Sequence, residues 1–95
     1  MMERWVVAYD VPDDRRRTKL AEILEDFGDR TQRSVFEVNT RKDEFELLVR
    51  RITALIEPGE DAVRLYPLCN ACYPKVMDLG LSEKKPFDEP DLIIV

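Results

Sequence analysis

Residues 5–20, WVVAYDVPDDRRRTKL, carry the strongest fold signal in the chain. They open with an apolar, β-prone run that stops at residues 10–14, where Pro12 and the neighbouring aspartates break a strand and offer a helix cap. Further on, apolar residues recur at the spacing of one helical face: Leu20, Ile23, Leu24 and Phe27. The stretch therefore predicts a strand, a loop and a first helix that Gly28 ends.

The next part of the chain predicts a second strand and a second helix. Residues 31–39 hold apolar side chains between polar ones and favour a strand, followed by a turn over residues 39–43. Residues 43–57 carry apolar side chains at offsets of 0, 3, 4, 7, 10 and 11, which is typical of an amphipathic helix. We expect Asp43 to cap this helix and Pro58-Gly59 to end it.

The C-terminal third predicts two more strands and an arm. Residues 61–68 alternate apolar and polar side chains, as a strand with one buried face does, and residues 75–79 predict a weaker fourth strand. Residues 82–91 are polar and contain two prolines, and the chain then ends in an apolar tetrapeptide. We expect one domain over residues 1–80 and a C-terminal arm over residues 81–95, whose short strand adds to the sheet edge of a partner chain.

These elements predict an α+β fold with two helices on one antiparallel sheet. Taken literally, their order is βαβαβ with an extra strand. If the second strand is split at a turn, the order becomes βαββαβ, a ferredoxin-like two-layer sandwich with an extra C-terminal strand. Residues 5–8 are apolar on both faces of their strand, so the second face of the sheet needs cover. A second copy, packed sheet to sheet, would supply that cover in a homodimer.

The amino-acid composition limits the classes of function that the chain can have. The 95 residues suffice for one domain, and 20 acidic against 15 basic residues give a net charge of -5, so nucleic acid could be bound only by a local basic patch. The chain has no histidine, which removes imidazole from catalysis and metal binding. No apolar run approaches the roughly 20 residues that cross a bilayer, and the N-terminus does not resemble a signal peptide. We therefore expect a cytoplasmic protein that does not enter membranes.

Asp10 is the first candidate site residue, because a carboxylate directly after a buried strand lies at the strand end, where sites are commonly built. The alternative is a loop or capping aspartate. One carboxylate cannot hold Mg²⁺ firmly, since this ion is usually tied by one or two carboxylates and a substrate phosphate. In a homodimer two copies of Asp10 could face each other, and a divalent cation would offset their repulsion of about 3 kcal/mol at about 5 Å and an effective dielectric constant of about 20. Tyr9, next to Asp10, would help to position a substrate.

A run of arginines follows in the first turn of the first helix, where positive charge opposes the helix dipole. Arg17 continues the apolar face of that helix toward Asp10 and is the preferred phosphate contact, with Arg16 beside it. The alternative is a charged surface turn paired with Asp13, Asp14 and Glu22. Arg30 and Arg33, at the start of the second strand, extend the local basic cluster.

Cys69 and Cys72 form a C-x-x-C motif, which occurs in both redox sites and zinc sites. With no other cysteine and no histidine, the chain supplies only half of a tetrahedral zinc set. The redox interpretation requires a strand-to-helix turn, whereas this motif follows the third predicted strand and precedes Tyr73 and Pro74. A structural or incidental pair is the remaining interpretation.

Three blocks of sequence together resemble a known family. They are WVVAYDVPDDRRRTKL at residues 5–20, GDRTQRSVFE at residues 28–37 and DAVRLYPLC at residues 61–69. In this order and spacing they resemble the Cas-two family, the small CRISPR-associated core protein. The resemblance covers residues 4–69 and is loose after Cys72.

The resemblance implies a ferredoxin-like homodimer that works with the Cas-one integrase in spacer capture, and Mg²⁺-dependent endonuclease activity on RNA or DNA. It makes Asp10 the metal ligand and matches Tyr9 to the tyrosine that precedes this aspartate in the family. We expect Asp10, Tyr9 and Arg17 to be the catalytic residues. The residues that it matches to basic and strand-opening positions of the family are Arg17, Lys19, Arg30, Ser34 and Phe36. With Arg16 and Arg33 they form the expected nucleic-acid surface.

Two functions from different classes remain open at this point. In one, paired Asp10 carboxylates hold Mg²⁺, which activates a water molecule for phosphodiester hydrolysis, while Arg17 neutralises developing charge. In the other, the dimer is a non-catalytic adaptor that spaces integrase units along DNA. A weaker third interpretation is a regulatory or toxin-type ribonuclease domain that needs no integrase.

Overall fold

The computed structural model describes residues 2–80, in which four strands and two α-helices alternate in the order βαββαβ. The elements are β1 (Glu3–Asp10), α1 (Asp14–Glu25), β2 (Gly28–Gln32), β3 (Val35–Thr40), α2 (Lys42–Leu55) and β4 (Ala62–Leu68), followed by a short 3₁₀ helix (Tyr73–Lys75). The ferredoxin-like α+β fold predicted from the sequence is confirmed.

The sheet has the strand order β2-β3-β1-β4, and every neighbouring pair is antiparallel. The apolar strand β1 therefore lies in the interior of the sheet, where Val7 is opposite Phe36 on β3 and Leu65 on β4. Because β1 is hydrogen-bonded on both sides, its last residues have a defined position at one end of the sheet. That end also holds the β2–β3 turn, since the Tyr9 N–H donates to the Ser34 carbonyl at 3.1 Å.

Both helices pack on the same face of the sheet. The core that they share contains Val7 and Tyr9 from β1, Phe36 and Val38 from β3, and Leu20, Leu24, Leu48 and Ile52 from the helices. The Trp5 ring stacks on Phe45 of α2 at 4.3 Å between centroids. Side chains alternate along a strand, so Val6, Ala8 and Asp10 lie on the opposite face, which neither helix covers. We call this the open face.

The predicted second strand is indeed split. The Arg33–Ser34 turn separates β2 from β3, and the pairing of the two strands is irregular between Arg30 and Gln32. A hairpin turn without glycine, asparagine or proline is not visible in the apolar alternation, because polar residues occupy both the turn and the strand face beside it.

The prediction that Gly28 ends the first helix is wrong. The helix ends at Glu25, and Gly28 is the first residue of β2. A Cβ atom at Gly28 would lie 1.9 Å from the Glu37 carbonyl oxygen, far inside contact distance. Glycine is needed here because the backbone of β3 passes so close, a tertiary cause that helix-end patterns do not contain.

The second helix also has different ends from those predicted. It begins at Lys42 with Arg41 as its cap, and the Arg41 N–H donates to Glu44 Oε1 at 2.8 Å, so Asp43 lies inside the first turn. It ends at Leu55, before Pro58 is reached. The cause is the Asp61 carboxylate, which accepts a hydrogen bond from the Glu57 N–H at 2.8 Å and turns the chain away from the helix axis.

The predicted fourth strand over residues 75–79 is wrong. Pro74 lies in the 3₁₀ helix, and residues 76–79 have no strand pairing. Met77 and Leu79 are 73% and 65% exposed, so their alternation does not reflect a buried face. The C-terminal arm over residues 81–95, its short strand and the domain boundary before it lie outside the described residues.

Candidate functional site at the end of strand β1

Asp10 is the last residue of β1 and lies opposite Ala62 of β4. Its side chain is exposed and on the open face, together with Val6 and Ala8. Within residues 2–80, neither an ion pair nor a side-chain hydrogen bond engages its carboxylate. Asp10 is therefore not the capping aspartate of α1, a position that Asp13 fills by accepting a hydrogen bond from the Arg16 N–H at 2.9 Å.

Tyr9 points to the other face of the sheet. Tyr9 is 7% exposed, and its ring lies 6.3 Å from the ring of Phe36, while its hydroxyl donates to the Arg33 carbonyl at 3.4 Å. Burial raises the pKa of the Tyr9 hydroxyl, an effect that outweighs the lowering by Arg30 and Arg17. Tyr9 is thus a neutral hydrogen-bond donor, and the sheet separates it from the Asp10 carboxylate.

A cleft of about 360 Å³ opens on the helix side of this sheet end. It brings together residues of β1, α1 and the β2–β3 turn that the sequence analysis proposed for nucleic-acid contact. Its lining includes Tyr9, Arg17, Arg30, Arg33 and Ser34, together with Glu22 and Glu25. Five predicted site residues therefore share one surface, which we call the arginine cleft.

The Arg30 guanidinium is the group in the arginine cleft that points most directly to an anionic ligand. Its guanidinium lies 5.3 Å above the Phe36 ring, which explains why the predicted residue Phe36 is fully buried beneath the site. The Arg30 Nε is also buried, and within residues 2–80 it has no hydrogen-bond partner. A buried donor without a partner is costly, and an anionic oxygen such as that of a phosphate would satisfy it.

Arg17 closes the loop between β1 and α1. Its guanidinium donates to the Val11 carbonyl at 2.9 Å and the Pro12 carbonyl at 3.3 Å, and it pairs with Asp14. The side chain remains 43% exposed beside the cleft. The alternative of a charged surface turn thus describes part of its role, since one of the proposed acidic partners is present.

Arg16 is directed away from the arginine cleft. Its Nε donates to Asp61 Oδ2 at 2.8 Å and its terminal nitrogen to Asp61 Oδ1 at 3.1 Å and Glu60 Oε1 at 3.0 Å. The Asp61 carboxylate is fully buried, and the hydrogen bonds from Arg16 lower its pKa. Lys19 is exposed on α1 and does not line the cleft either. The predicted basic surface is therefore divided among separate places.

Residues 2–80 of one chain supply too few donors for a complete metal site. Within residues 2–80, no group of three or more histidine, cysteine, aspartate or glutamate side chains is placed to hold a metal ion. Asp10 nevertheless suits Mg²⁺ as a single ligand, because its hard carboxylate oxygens are exposed and uncommitted. A complete site would need a further carboxylate from beyond residues 2–80 of this chain, and a second copy of Asp10 is one that a homodimer would supply.

The family model described as CRISPR associated protein Cas2 matches residues 2–76. The chain belongs to the Cas2 family. It is 42% identical over 93 residues to CRISPR-associated endoribonuclease Cas2 4 of Rhodospirillum rubrum. The aligned region covers 98% of this chain and 75% of that relative. The resemblance inferred from the three sequence blocks is confirmed.

Solved structures agree with this assignment. Cas2 of Streptococcus pyogenes superposes with a TM-score of 0.74 at 33% identity, covering 84% of this chain and all of that one. A chain of a partial Cas6-RT-Cas1–Cas2 complex superposes with a TM-score of 0.72 at 28% identity, covering 92% of this chain and 98% of that one.

The arginine cleft contains two acidic residues, Glu22 and Glu25. The sequence analysis considered Glu22 only as an acidic partner of the arginine run, and it missed Glu25. The two residues lie three apart on one face of α1, and this spacing was the available signal. The buried partner of Arg16, Asp61, was also missed. It is 45 residues away in the sequence, and no local pattern links the two.

The described part of the chain contains no helix that is long and apolar enough to cross a membrane.

Proposed function

We propose that this chain is a Mg²⁺-dependent endonuclease that acts as a homodimer with a Cas1-type integrase during CRISPR spacer acquisition in the cytoplasm. Membership of the Cas2 family supports the CRISPR role. A relative named an endoribonuclease supports phosphodiester cleavage, and a similar chain within a Cas1–Cas2 complex supports the integrase partner. The substrate is RNA or DNA.

The homodimer follows from the character of the open face. Val6 is opposite Glu37 on β3 and Tyr66 on β4, and Tyr66 is 46% exposed. The apolar side chains of this face come from three strands: Val6, Ala8, Val35, Tyr66 and Leu68. A second sheet laid on this face would bury them, and at this chain length such burial adds substantially to a small core.

Dimerisation through the open face would also complete the metal site. Asp10 lies on that face, at the end of the strand that carries Val6 and Ala8, so a partner on this face approaches the Asp10 carboxylate. Two copies of Asp10 would then hold one Mg²⁺, which supplies charge neutralisation and a bound water of lowered pKa. The repulsion between the carboxylates disfavours the empty pair and favours cation binding.

The arginine cleft would hold the phosphodiester backbone. Arg30 offers its buried Nε–H, and the exposed parts of Arg17 and Arg33 add positive charge at the same end of the sheet. The Arg33–Ser34 turn lies beside Tyr9 and Asp10, so a nucleic-acid strand could pass from the cleft over the turn to the open face. The role of these side chains is to bind and orient the phosphates and to balance charge.

Glu22 and Glu25 limit how the arginine cleft binds. Their carboxylates repel phosphate, so only a nucleic-acid backbone that keeps to the Arg30 side of the cleft is favoured.

Tyr9 stays protonated at neutral pH and therefore cannot act as a general base there.

The observation that carries the proposal is the exposed, uncommitted Asp10 carboxylate at the end of β1 on the open face. The test compares Asp10→Asn with Glu46→Gln, an exposed carboxylate on α2 that serves as the matched control. Single-stranded RNA and DNA are incubated with each dimer in Mg²⁺ or in EDTA. We expect Asp10→Asn to lose about 100-fold or more in cleavage rate and Glu46→Gln to cleave like the parent.

The adaptor function is the second candidate, favoured by the small donor set of each chain within residues 2–80. It is distinguished by measuring spacer integration with the integrase present. Cleavage lost but integration retained in Asp10→Asn would assign separate roles to the metal and the scaffold. Equal cleavage by the parent and Asp10→Asn would refute the nuclease and leave the adaptor.

A further inference from the structure

The segment that follows β4 contains the only two cysteines of the chain, Cys69 and Cys72, and both are exposed free thiols. The nuclease proposal gives them no role. We propose that they form a reversible dithiol–disulfide site that reacts with low-molecular-weight disulfides, with Cys69 as the attacking sulfur and Cys72 as the resolving sulfur.

The backbone already brings the two cysteines together. The N–H groups of Cys72 and Tyr73 donate to the Cys69 carbonyl at 3.0 and 2.9 Å, which closes one helical turn around the motif. Residues three apart in such a turn have Cα atoms less than about 7 Å apart, and a disulfide spans about 4.4–6.8 Å. A disulfide therefore forms without a large movement of the chain.

The surroundings of the sulfurs make the pair unequal. The Cys72 thiol donates to the Cys69 sulfur, and the N–H groups of Cys72 and Ala71 add to this, so the pKa of Cys69 is lowered. The same contact raises the pKa of Cys72, because its thiol is held by the Cys69 sulfur and faces its charge. The thiolate is the reactive form, so Cys69 reacts first.

The order of attack then follows from charge. Once Cys69 is bound to another sulfur it carries no negative charge, so the hydrogen bond to its thiolate and the repulsion by its charge no longer raise the pKa of Cys72, and only burial still does. Cys72 becomes easier to ionise when it is needed to resolve the mixed disulfide.

The reagent is a small disulfide, RSSR. The Cys69 thiolate attacks one of its sulfur atoms, forming a mixed disulfide and releasing the first thiolate, RS⁻. The Cys72 thiolate then attacks the Cys69 sulfur and releases the second RS⁻. Two protons leave the cysteines and join the two released thiolates, so two cysteine thiols are oxidised and one RSSR is reduced to two RSH.

A shallow groove of about 510 Å³ gives small molecules access to both cysteines. Arg4 and Trp5 of β1 form its other wall, and the Arg4 guanidinium fixes the segment by donating to Asn70 Oδ1 at 2.9 Å and covering the Tyr73 ring at 4.3 Å. The groove lies beyond the pair Arg4 and Leu68, whereas Asp10 lies at the other end of the sheet opposite Ala62. The thiol site is thus separate from the proposed metal site.

The motif lies between β4 and the three-residue 3₁₀ helix that begins at Tyr73, so it is not at the start of an α-helix. The proposal therefore rests on the closed turn and the two exposed thiols. The structure does not support the zinc interpretation, because within residues 2–80 no third metal ligand lies near the two cysteines.

The test uses the full chain in buffers with increasing ratios of oxidised to reduced glutathione, followed by acid quenching, alkylation and intact mass spectrometry. We expect the parent to lose two hydrogen atoms and to keep no stable glutathione adduct. Cys72→Ser should retain one glutathione on Cys69, and Cys69→Ser should form no disulfide within the chain. Brief treatment of the reduced parent with limiting iodoacetamide should label Cys69 before Cys72. Circular dichroism checks that both variants fold.

Stable glutathione adducts or chain-to-chain disulfides in the parent would overturn the proposal. Equal labelling of Cys69 and Cys72 in the reduced parent would refute the assignment of Cys69 as the attacking sulfur. Neither measurement depends on nuclease activity, so the outcome is independent of the proposed function.

Discussion

Arg16 and Arg17 are adjacent in the sequence, yet their guanidinium groups have different partners. Arg16 reaches across to the buried Asp61, whereas Arg17 closes its own loop and stays partly exposed beside the cleft. The sequence analysis placed both in one nucleic-acid surface because a run of arginines carries no directional information. Only the helical face distinguished them, and that criterion had favoured Arg17.

The buried carboxylate of Asp61 predicts how stability depends on pH. Its lowered pKa contributes stability that is complete above its ordinary value of 3.8 and is lost as the pH falls through the folded-state pKa. We expect Asp61→Asn to lower the melting temperature by several degrees at pH 7 and to weaken the fall in stability below pH 3.8. Asp43→Asn, which removes an exposed carboxylate on α2, is the control. Thermal unfolding across pH 2–7 that is identical for Asp61→Asn and the parent would contradict the role of this ion pair.

The unpaired Nε of Arg30 predicts a specific loss of nucleic-acid binding. We expect Arg30→Ala to weaken binding of a single-stranded oligonucleotide and to reduce the salt slope by about 0.7. Arg50→Ala removes an exposed charge on α2 and should change neither quantity. Binding is measured by fluorescence anisotropy between about 50 and 200 mM salt. Equal losses for both variants would indicate a general charge effect instead of a phosphate contact at Arg30.

At the scale of elements, periodicity predicted the helices and strands well, but their ends depended on distant contacts. The apolar spacing of α2 placed that helix correctly, whereas its last turn is set by Asp61. The apolar alternation at residues 75–79 was misleading, because alternation indicates a strand only where a neighbouring strand is available for pairing.

Gly28 gives the clearest prediction at this scale. Its missing Cβ leaves room for the Glu37 carbonyl, so Gly28→Ala must push β2 away from β3. We expect the free energy of unfolding to fall by about 2–3 kcal/mol. Gly59→Ala is the matched control because a Cβ atom at this position would have no neighbour within 4 Å, and its effect on the free energy of unfolding should stay within about 0.5 kcal/mol. Chemical denaturation of both variants tests this, and equal stabilities would refute the close approach of the two backbones.

At the scale of the whole molecule, the open face decides the assembly. The sequence predicted this face from apolar residues at both parities of β1, and the helices indeed cover only one side of the sheet. The candidate site was predicted less completely. The block resemblance located Tyr9 and Asp10, but a resemblance between sequences does not show that the sheet directs these two side chains to opposite faces.

The open face predicts a dimer that a buried charge disrupts. We expect the parent to sediment at twice the mass of one chain and Val6→Asp to sediment as a monomer, because an aspartate would be buried without a partner. Leu47→Asp changes a residue that is 43% exposed on α2 and should leave the dimer intact. A parent that sediments as a monomer, or a Val6→Asp variant that remains dimeric, would refute this interface.

The most direct test of a metal shared between two chains is the stoichiometry of binding at Asp10. Mn²⁺, used in place of Mg²⁺, is titrated into the dimer and its free fraction is followed by electron paramagnetic resonance. We expect one tight ion for every two chains, lost in Asp10→Asn and retained in Glu46→Gln. One ion for every chain, or binding that survives Asp10→Asn unchanged, would contradict the shared site.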